Sequence, residues 1–556
     1  MIYFSMTITR PSREKLSIPF SGKRILTMIL LIAAGIFIFY PTLDFQNLLS
    51  QGDHGRDLYA FKKTLDGALP YRDYWWVYGP LMPFYYAFFF KVFGIYIPSV
   101  LIGKMFLNLT AGVFFFLSIS LFSSSLFAFV ATLWFWTYNP DFFFTYNHAG
   151  GIAASLGVIY CALRYIHSPR RPFFILGLAG IWILSFIKIN IGIFTLASFM
   201  TAIMMTDIFN KDFKNSKKIF YFWSCALLLV SIIFIYWLLI KDLPFYDIRQ
   251  CFPYLRSDHP YYSPLGNSLV IIGNWFIRVL TSSWGNFCIG SLIFFSFIQT
   301  ILKLKNKEGD HETRSRFLLS SVFLIVFCVL NLHEFMDSAV YYRAFWAAPA
   351  KFLLFFMVIA FATKQFPLFL RYLLLAVLSC VILFQNQGQY QSIQSFKNGS
   401  RYLSMQTGRI FVGNHPLWVE TVKKTTDFLE EHLSGRETFF ALPYDPLYYY
   451  LTGKDSPTRQ LIFFDHILIN ETQEKDVIRS LEEKKVNYIV LSSRQNAKEE
   501  GLGTFGKTYC RTLADYIFKN FEVVAAFGDW QDEPGWAWNH GMKILQRIHH
   551  KSLIIP

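Results

Sequence analysis

The chain has 556 residues, of which 54% are hydrophobic, 19% aromatic and only 16% charged, with a formal net charge of +15. That composition excludes an ordinary soluble protein, which needs far more charge to cover a surface of this size. The basic excess falls in short segments between apolar runs, with no basic amphipathic face, so it argues for a lipid bilayer and against nucleic acid as a partner.

Apolar residues form long runs, for example 25–40, 219–239, 317–330 and 348–362, each close to the ~20 residues that cross a bilayer core. They lack the alternation of a membrane barrel, which leaves helical spans. Arg10, Arg13, Lys15, Lys23 and Arg24 precede the first span at 24–43 and predict a cytoplasmic N-terminus. No cleavable signal precedes that span, so it is expected to be retained. Residues 44–96 then form a first outer loop. Within it, 80–94 (PLMPFYYAFFFKVFG) is apolar but short, and predicts a helix lying in the interface.

Further spans are predicted at 97–119, 124–138, 148–165, 172–187, 189–206, 218–240, 286–303, 317–332, 342–362 and 372–388, eleven in all. The intervening loops 164–171, 210–218, 303–316 and 364–371 each carry several Lys or Arg, as cytoplasmic loops do. A second outer loop, 241–285, holds Asp242, Asp247, Arg249, Arg256 and Asp258, with a further interfacial helix expected at 268–283. After residue 388 the pattern turns mixed and charged, and an odd number of spans puts 389–556 outside. This tail reads as a small α/β domain, with strands at 438–442, 488–492, 523–527 and 543–548 and helices at 474–485 and 511–521. The fold class is therefore a polytopic α-helical membrane protein (1–388) with a C-terminal extracytoplasmic α/β domain.

Five of the seven cysteines, Cys161, Cys225, Cys288, Cys328 and Cys380, lie in apolar runs and read as small buried hydrophobes. Cys251 and Cys510 are expected outside, where a disulfide between them is left open. The GxGxxG at 501–506 is set apart from the preceding strand by polar sequence and reads as a loop. The sequons at Asn398 and Asn470 carry weight only in a secretory host.

Polar residues beside a span on the outer side are not required by topology, and such loops often carry function. The richest stretch starts at Asp53: DHGRDLYAFKKTLDGALPYRDYWWVYGPL. It resembles the first outer loop of C-type glycosyltransferases, the bacterial branch related to protein mannosyltransferases and lipid A aminoarabinose transferase. The matching residues are Asp53, Tyr59-Ala60, Leu65 to Tyr71 (LDGALPY), Tyr74-Trp75-Trp76 and Pro80-Leu81. The order of spans and the soluble tail extend the resemblance over nearly the whole chain.

The resemblance implies an inverting transfer of sugar from a polyprenyl-phosphate donor to a glycan, lipid or protein acceptor at the outer face of a bacterial cytoplasmic membrane. A carboxylate of that loop acts as general base, because a neutral hydroxyl is a poor nucleophile. Asp53 stands at that position. The usual second acid of the pair is His54 here, and Asp57, one helical turn on, could supply a carboxylate on the same face.

The acidic residue expected at the outer start of a later span finds Asn139-Pro140-Asp141 and then Tyr146-Asn147-His148, with His148 near the place of the family's second Asp. These departures weaken a metal-dependent mechanism. No metal site is claimed, and a divalent ion is left open. A phosphate leaving group needs cations. Lys188, alone in apolar sequence, and Arg343 match basic positions of the family, whereas Arg249 and Arg256 are weaker candidates. Two rival classes remain: a transporter or flippase, which calls for charged or broken helices at the midplane in paired halves, and a degenerate member that binds a lipid-linked sugar without transferring it.

Overall fold

A computed structural model of the chain describes residues 22–138, 146–212, 214–252, 311–338, 341–363, 367–405, 408–496, 502–530 and 541–548. Within them the apolar runs become helices. Seven are long and apolar enough to cross a membrane: Arg24–Thr42, Ile97–Ile119, Tyr146–His167, Ile189–Phe209, Asn215–Ile240, Arg343–Thr363 and Leu368–Asn398. Three shorter apolar helices, Ser125–Thr137, Arg171–Ser185 and Ser315–Asn331, fall on other predicted spans. The predicted span at 286–303 and the interfacial helix at 268–283 lie outside the described residues.

In chain order, α1 (Gly22–Phe39) leads to the short strand β1 (Phe45–Gln46), then α2 (Asp53–Leu65) and α3 (Leu81–Phe93) in the segment 44–96. Helix α3 buries Met82, Tyr86, Ala87 and Phe90 and leaves Phe84, Phe88 and Val92 exposed. Exposed residues four apart form one apolar stripe, as an interfacial helix requires. The bundle continues through α4 (Ile97–Ile119), α5 (Ser125–Tyr138), α6 (Tyr146–His167), α7 (Arg171–Ser185), α8 (Ile189–Phe209) and α9 (Asn215–Ile240). The segment after α9 opens with α10 (Phe245–Cys251). After it come α11 (His311–Asn331), α12 (His333–Ser338), α13 (Ala348–Thr363) and α14 (Leu368–Asn398). Helix α14 runs without a break through residue 388.

The tail holds two sheets. In the first, β3 (Gly408–Val412) pairs antiparallel with β2 (Tyr402–Met405) and parallel with β1, with Phe45 opposite Phe411. The second has the order β4 (Phe439–Leu442), β5 (Tyr488–Ser492), β7 (Met542–Arg547), β6 (Phe521–Phe527), and only β4 and β5 run parallel. Helices α15 (Pro416–His432), α16 (Leu447–Thr452), α17 (Glu471–Glu483) and α18 (Arg511–Asn520) complete the domain. Helix α17 starts in a full capping box, Asn470 with Gln473, which satisfies two otherwise orphaned backbone donors. Cys251 and Cys510 are both buried and free, so no disulfide joins the second outer loop to the tail.

The segment 44–96 is held between the bundle and the tail. Asn414 exchanges two hydrogen bonds with the backbone of Leu49, each 2.9 Å. The Leu447 amide donates to Gln51 O at 3.1 Å, the Trp75 amide to Arg459 O at 3.0 Å, and the Ser456 amide to the Tyr59 hydroxyl at 2.9 Å. On the bundle side, the Gly79 and Leu81 amides donate to Ile187 O and Phe186 O, both at 2.9 Å. A Cβ on Gly79 would come within 2.2 Å of Phe186 O, so only glycine admits this strap.

Candidate functional site

Helix α2 carries the first half of the site. The Ser50 hydroxyl accepts from the His54 amide at 3.2 Å, and His54 Nδ1 accepts from the Ser50 amide at 3.0 Å. This reciprocal pair starts the helix where Gly52 supplies no side-chain cap. His54 is fully buried with its ring edge-on to Tyr146, centroids 5.2 Å apart. One turn separates Asp53 from Asp57, and Arg56 bridges them. Its Nη1 reaches Asp53 Oδ1 at 3.2 Å, and its Nε and Nη2 reach Asp57 Oδ1 at 3.0 and 2.7 Å. The Asp57 side chain is 0% exposed and that of Asp53 16%, so Asp53 is the more accessible of the two carboxylates. Burial pushes the Asp57 carboxyl up to about 6 despite Arg56 beside it.

The guanidinium of Arg56 lies 4.9 Å from the Tyr78 ring and 5.4 Å from Trp76. Tyr78 is held by the glycine strap at its neighbour and by the Tyr71 hydroxyl, which donates to its carbonyl. Within cation–π reach of the same ring, 5.7 Å from its centroid, stands Lys188 Nζ. Tyr78 therefore joins the α2 carboxylates to a second group of charges.

Lys188 occupies the turn between α7 and α8 and pairs with Glu334 Oε1 at 2.6 Å. Glu334 is 1% exposed and also accepts from Asn190 Nδ2 at 2.7 Å and Trp346 Nε1 at 3.2 Å. Burial works against the Glu334 carboxylate, but Lys188, His333 and Arg343 together hold its carboxyl well below the ordinary range. Burial likewise lowers the Lys188 ammonium, while the Glu334 carboxylate 2.6 Å away opposes that shift. His148 packs at this junction, its ring 5.6 Å from Tyr78, 4.7 Å from Phe345 and 5.3 Å from Trp346. It lies in electrostatic range of Lys188, Glu334, Arg56 and Arg343. Asn147 Nδ2 donates to Ile187 O at 3.3 Å and so braces the turn that carries Lys188.

Of the residues singled out from sequence, Asp53, His54, Asp57, Asn147, His148, Lys188 and Arg343 gather here. Arg249 does not: it sits on α10, whose Asp247 docks onto tail Arg459 at 2.8 Å. Arg256 and Asp141 lie outside the described residues. Sequence reasoning missed Arg56, Tyr78, Glu334, Trp346 and the tail residue Tyr444, whose hydroxyl donates to Asp53 Oδ1 at 2.9 Å. Glu334 had a legible signal, a carboxylate directly after an apolar run. Arg56 was visible between two acids, but its bridging role depends on the helix. Among the described residues, no three or more His, Cys, Asp or Glu stand together as a metal-holding group.

The cluster combines one partly exposed carboxylate with three cations, Arg56, Lys188 and Arg343, a few side chains away. Such an arrangement can accept a proton at one end and stabilise negative charge at the other. The sequence matches no protein-family model and no curated protein. The fold, however, matches solved structures. The crystal structure of ArnT from Cupriavidus metallidurans bound to undecaprenyl phosphate aligns with a TM-score of 0.53 at 11% identity, covering 94% of this chain and 98% of that one. The apo state of the same protein gives 0.54, with the same identity and coverage. The chain thus shares the fold of that protein over nearly its whole length, tail domain included.

Proposed function

We propose that this protein transfers a sugar from a polyprenyl-phosphate donor to an acceptor nucleophile, with inversion, at the outer face of the cytoplasmic membrane. In this reading Asp53 is the general base, and Lys188 and Arg343 hold the donor phosphate as its bond to the sugar breaks. Arg56 hydrogen-bonds both α2 carboxylates and lends its charge to the same region. Asp57, wholly buried and bound to Arg56, takes a supporting role, as does His54, which holds the start of the helix. The N-terminus lies in the cytoplasm and the tail outside, where the acceptor (a glycan, lipid or protein) is met.

The observation that carries this reading is the unbroken chain of contacts from Asp53 through Arg56 and Tyr78 to Lys188. Base and phosphate cations on one contiguous surface are what an in-line displacement needs. The fold of a protein crystallised with undecaprenyl phosphate supports a polyprenyl donor.

The test is transfer of radiolabelled sugar from a panel of polyprenyl-phosphate donors, in membranes containing wild type or Asp53→Asn. Wild-type transfer that drops at least about 100-fold in the variant at equal expression is the expected result. Equal transfer by both would remove Asp53 from the chemistry, and no transfer from any donor would sink the enzymatic reading.

A further inference from the structure

The C-terminal domain reaches Asp53 and Arg56 through the corner between β4 and α16. After β4 the chain turns at Pro443-Tyr444-Asp445-Pro446 and enters α16. That corner is fixed on three sides. The Phe463 amide donates to Pro443 O at 3.0 Å, the Ser492 hydroxyl to Asp445 Oδ2 at 2.8 Å, and the Leu447 amide to Gln51 O at 3.1 Å. The Tyr444 ring, 2% exposed, lies edge-on to Phe464 and covers Gly52. A Cβ at Gly52 would stand 2.6 Å from the ring, so the missing side chain is what lets a tail tyrosine reach α2.

The phenol hydroxyl has one proton to give. Arg56 Nη1 donates to it at 3.1 Å, and a guanidinium can only donate. The hydroxyl proton is therefore committed to Asp53 Oδ1, at 2.9 Å. Arg56 Nη1 reaches the same Oδ1 at 3.2 Å. Both donors converge on one carboxylate oxygen, which fixes the rotation of the carboxyl group and leaves Oδ2 for a substrate hydroxyl.

From this geometry we infer that Tyr444 is a positioning residue for Asp53, so that the C-terminal domain completes the reaction site. The inference rests on the reading of Asp53 as general base. It gives the tail a chemical role that its own sequence does not display, and it makes docking of the tail a condition of full activity. A base aimed by two fixed donors keeps its near-attack geometry, and losing one of them lets the carboxyl group turn.

The experiment compares wild type, Tyr444→Phe, Asp53→Asn, the double variant, and Tyr448→Phe in the transfer assay across pH. Tyr444→Phe keeps the ring over Gly52 and removes only the hydroxyl. It is expected to lower kcat about tenfold, the cost of one hydrogen bond to a charged group. Donor KM should stay within about twofold, and the acid limb of the pH profile should move to higher pH. In the Asp53→Asn background the same change should add no further loss, because Tyr444 acts through Asp53. Tyr448→Phe removes a different bond between tail and loop, that from Gln51 Nε2 at 2.9 Å, and should leave the rate unchanged. Wild-type kcat and an unmoved acid limb in Tyr444→Phe would overturn the inference and leave the transferase reading standing. So would an equal loss in Tyr448→Phe, which would mean that loosened docking is the cause. No transfer by the wild type, measured alongside, would overturn the transferase reading first and this inference with it.

Discussion

Replacing Arg56 by methionine tests the electrostatic heart of the site. The guanidinium makes three hydrogen bonds to carboxylate oxygens of Asp53 and Asp57 and a fourth to Tyr444, with its side chain only 3% exposed. Methionine keeps an unbranched apolar stem but removes the guanidinium from the Trp76 and Tyr78 rings, and with it the only cation hydrogen-bonded to Asp57 among the described residues. Breaking a buried ion pair by deleting one partner costs about 3–5 kcal/mol, because the remaining charge is stranded. Asp57 bears most of that cost, since its side chain is wholly buried while Asp53 reaches solvent. Arg56→Met should therefore melt well below wild type in detergent, followed by the fluorescence of the 14 tryptophans. Adding Asp57→Asn should recover at least half of the loss, because a neutral amide removes the stranded charge. Asp57→Asn alone should cost little, as the lost ion pair is offset by relief of desolvation. The reasoning is refuted if Arg56→Met melts like wild type, or if the double variant melts no higher than the single one.

Two further outcomes follow from the same cluster and its neighbour. Lys188→Met should destabilise the protein by stranding Glu334, and adding Glu334→Gln should restore the melting temperature without restoring donor affinity. About a 10- to 100-fold rise in donor KM in that double variant is expected from loss of a charge-assisted phosphate contact, and an unchanged KM would exclude Lys188 from the donor site. In the tail, burial pushes the Asp445 carboxyl up to about 6, against the pull of Arg494 and Ser492. A folded-state value above the ordinary ~3.9 means that the unfolded chain releases its proton first as pH rises. Stability should then fall between pH 4 and pH 6 by up to about 3 kcal/mol from this group. Asp445→Asn should flatten that decline in pH-dependent melting or hydrogen exchange of β4 and β5, and parallel curves for the two proteins would remove Asp445 as its source.

The sequence alone determined the membrane class, because a bilayer has no water to satisfy backbone groups and demands long apolar helices that composition reveals. It also located the four strands of the second tail sheet, though not β2 and β3, and set Asp53 and Asp57 one turn apart, since these features depend on local periodicity. Tyr488–Ser492 was read to the residue, and Phe439–Leu442 to within one. Tertiary structure alone decided which charges meet. Lys188 and Glu334 are 146 positions apart in sequence, and Asp53 and Tyr444 are 391 apart, and no local pattern records such pairs. Nothing local in the sequence marks the roles of Gly52 and Gly79; the packing shows that each leaves room for a close approach. The tail looked chemically silent for the same reason. Tyr444 touches Asp53 only because the fold brings a carboxylate from the other end of the chain against it.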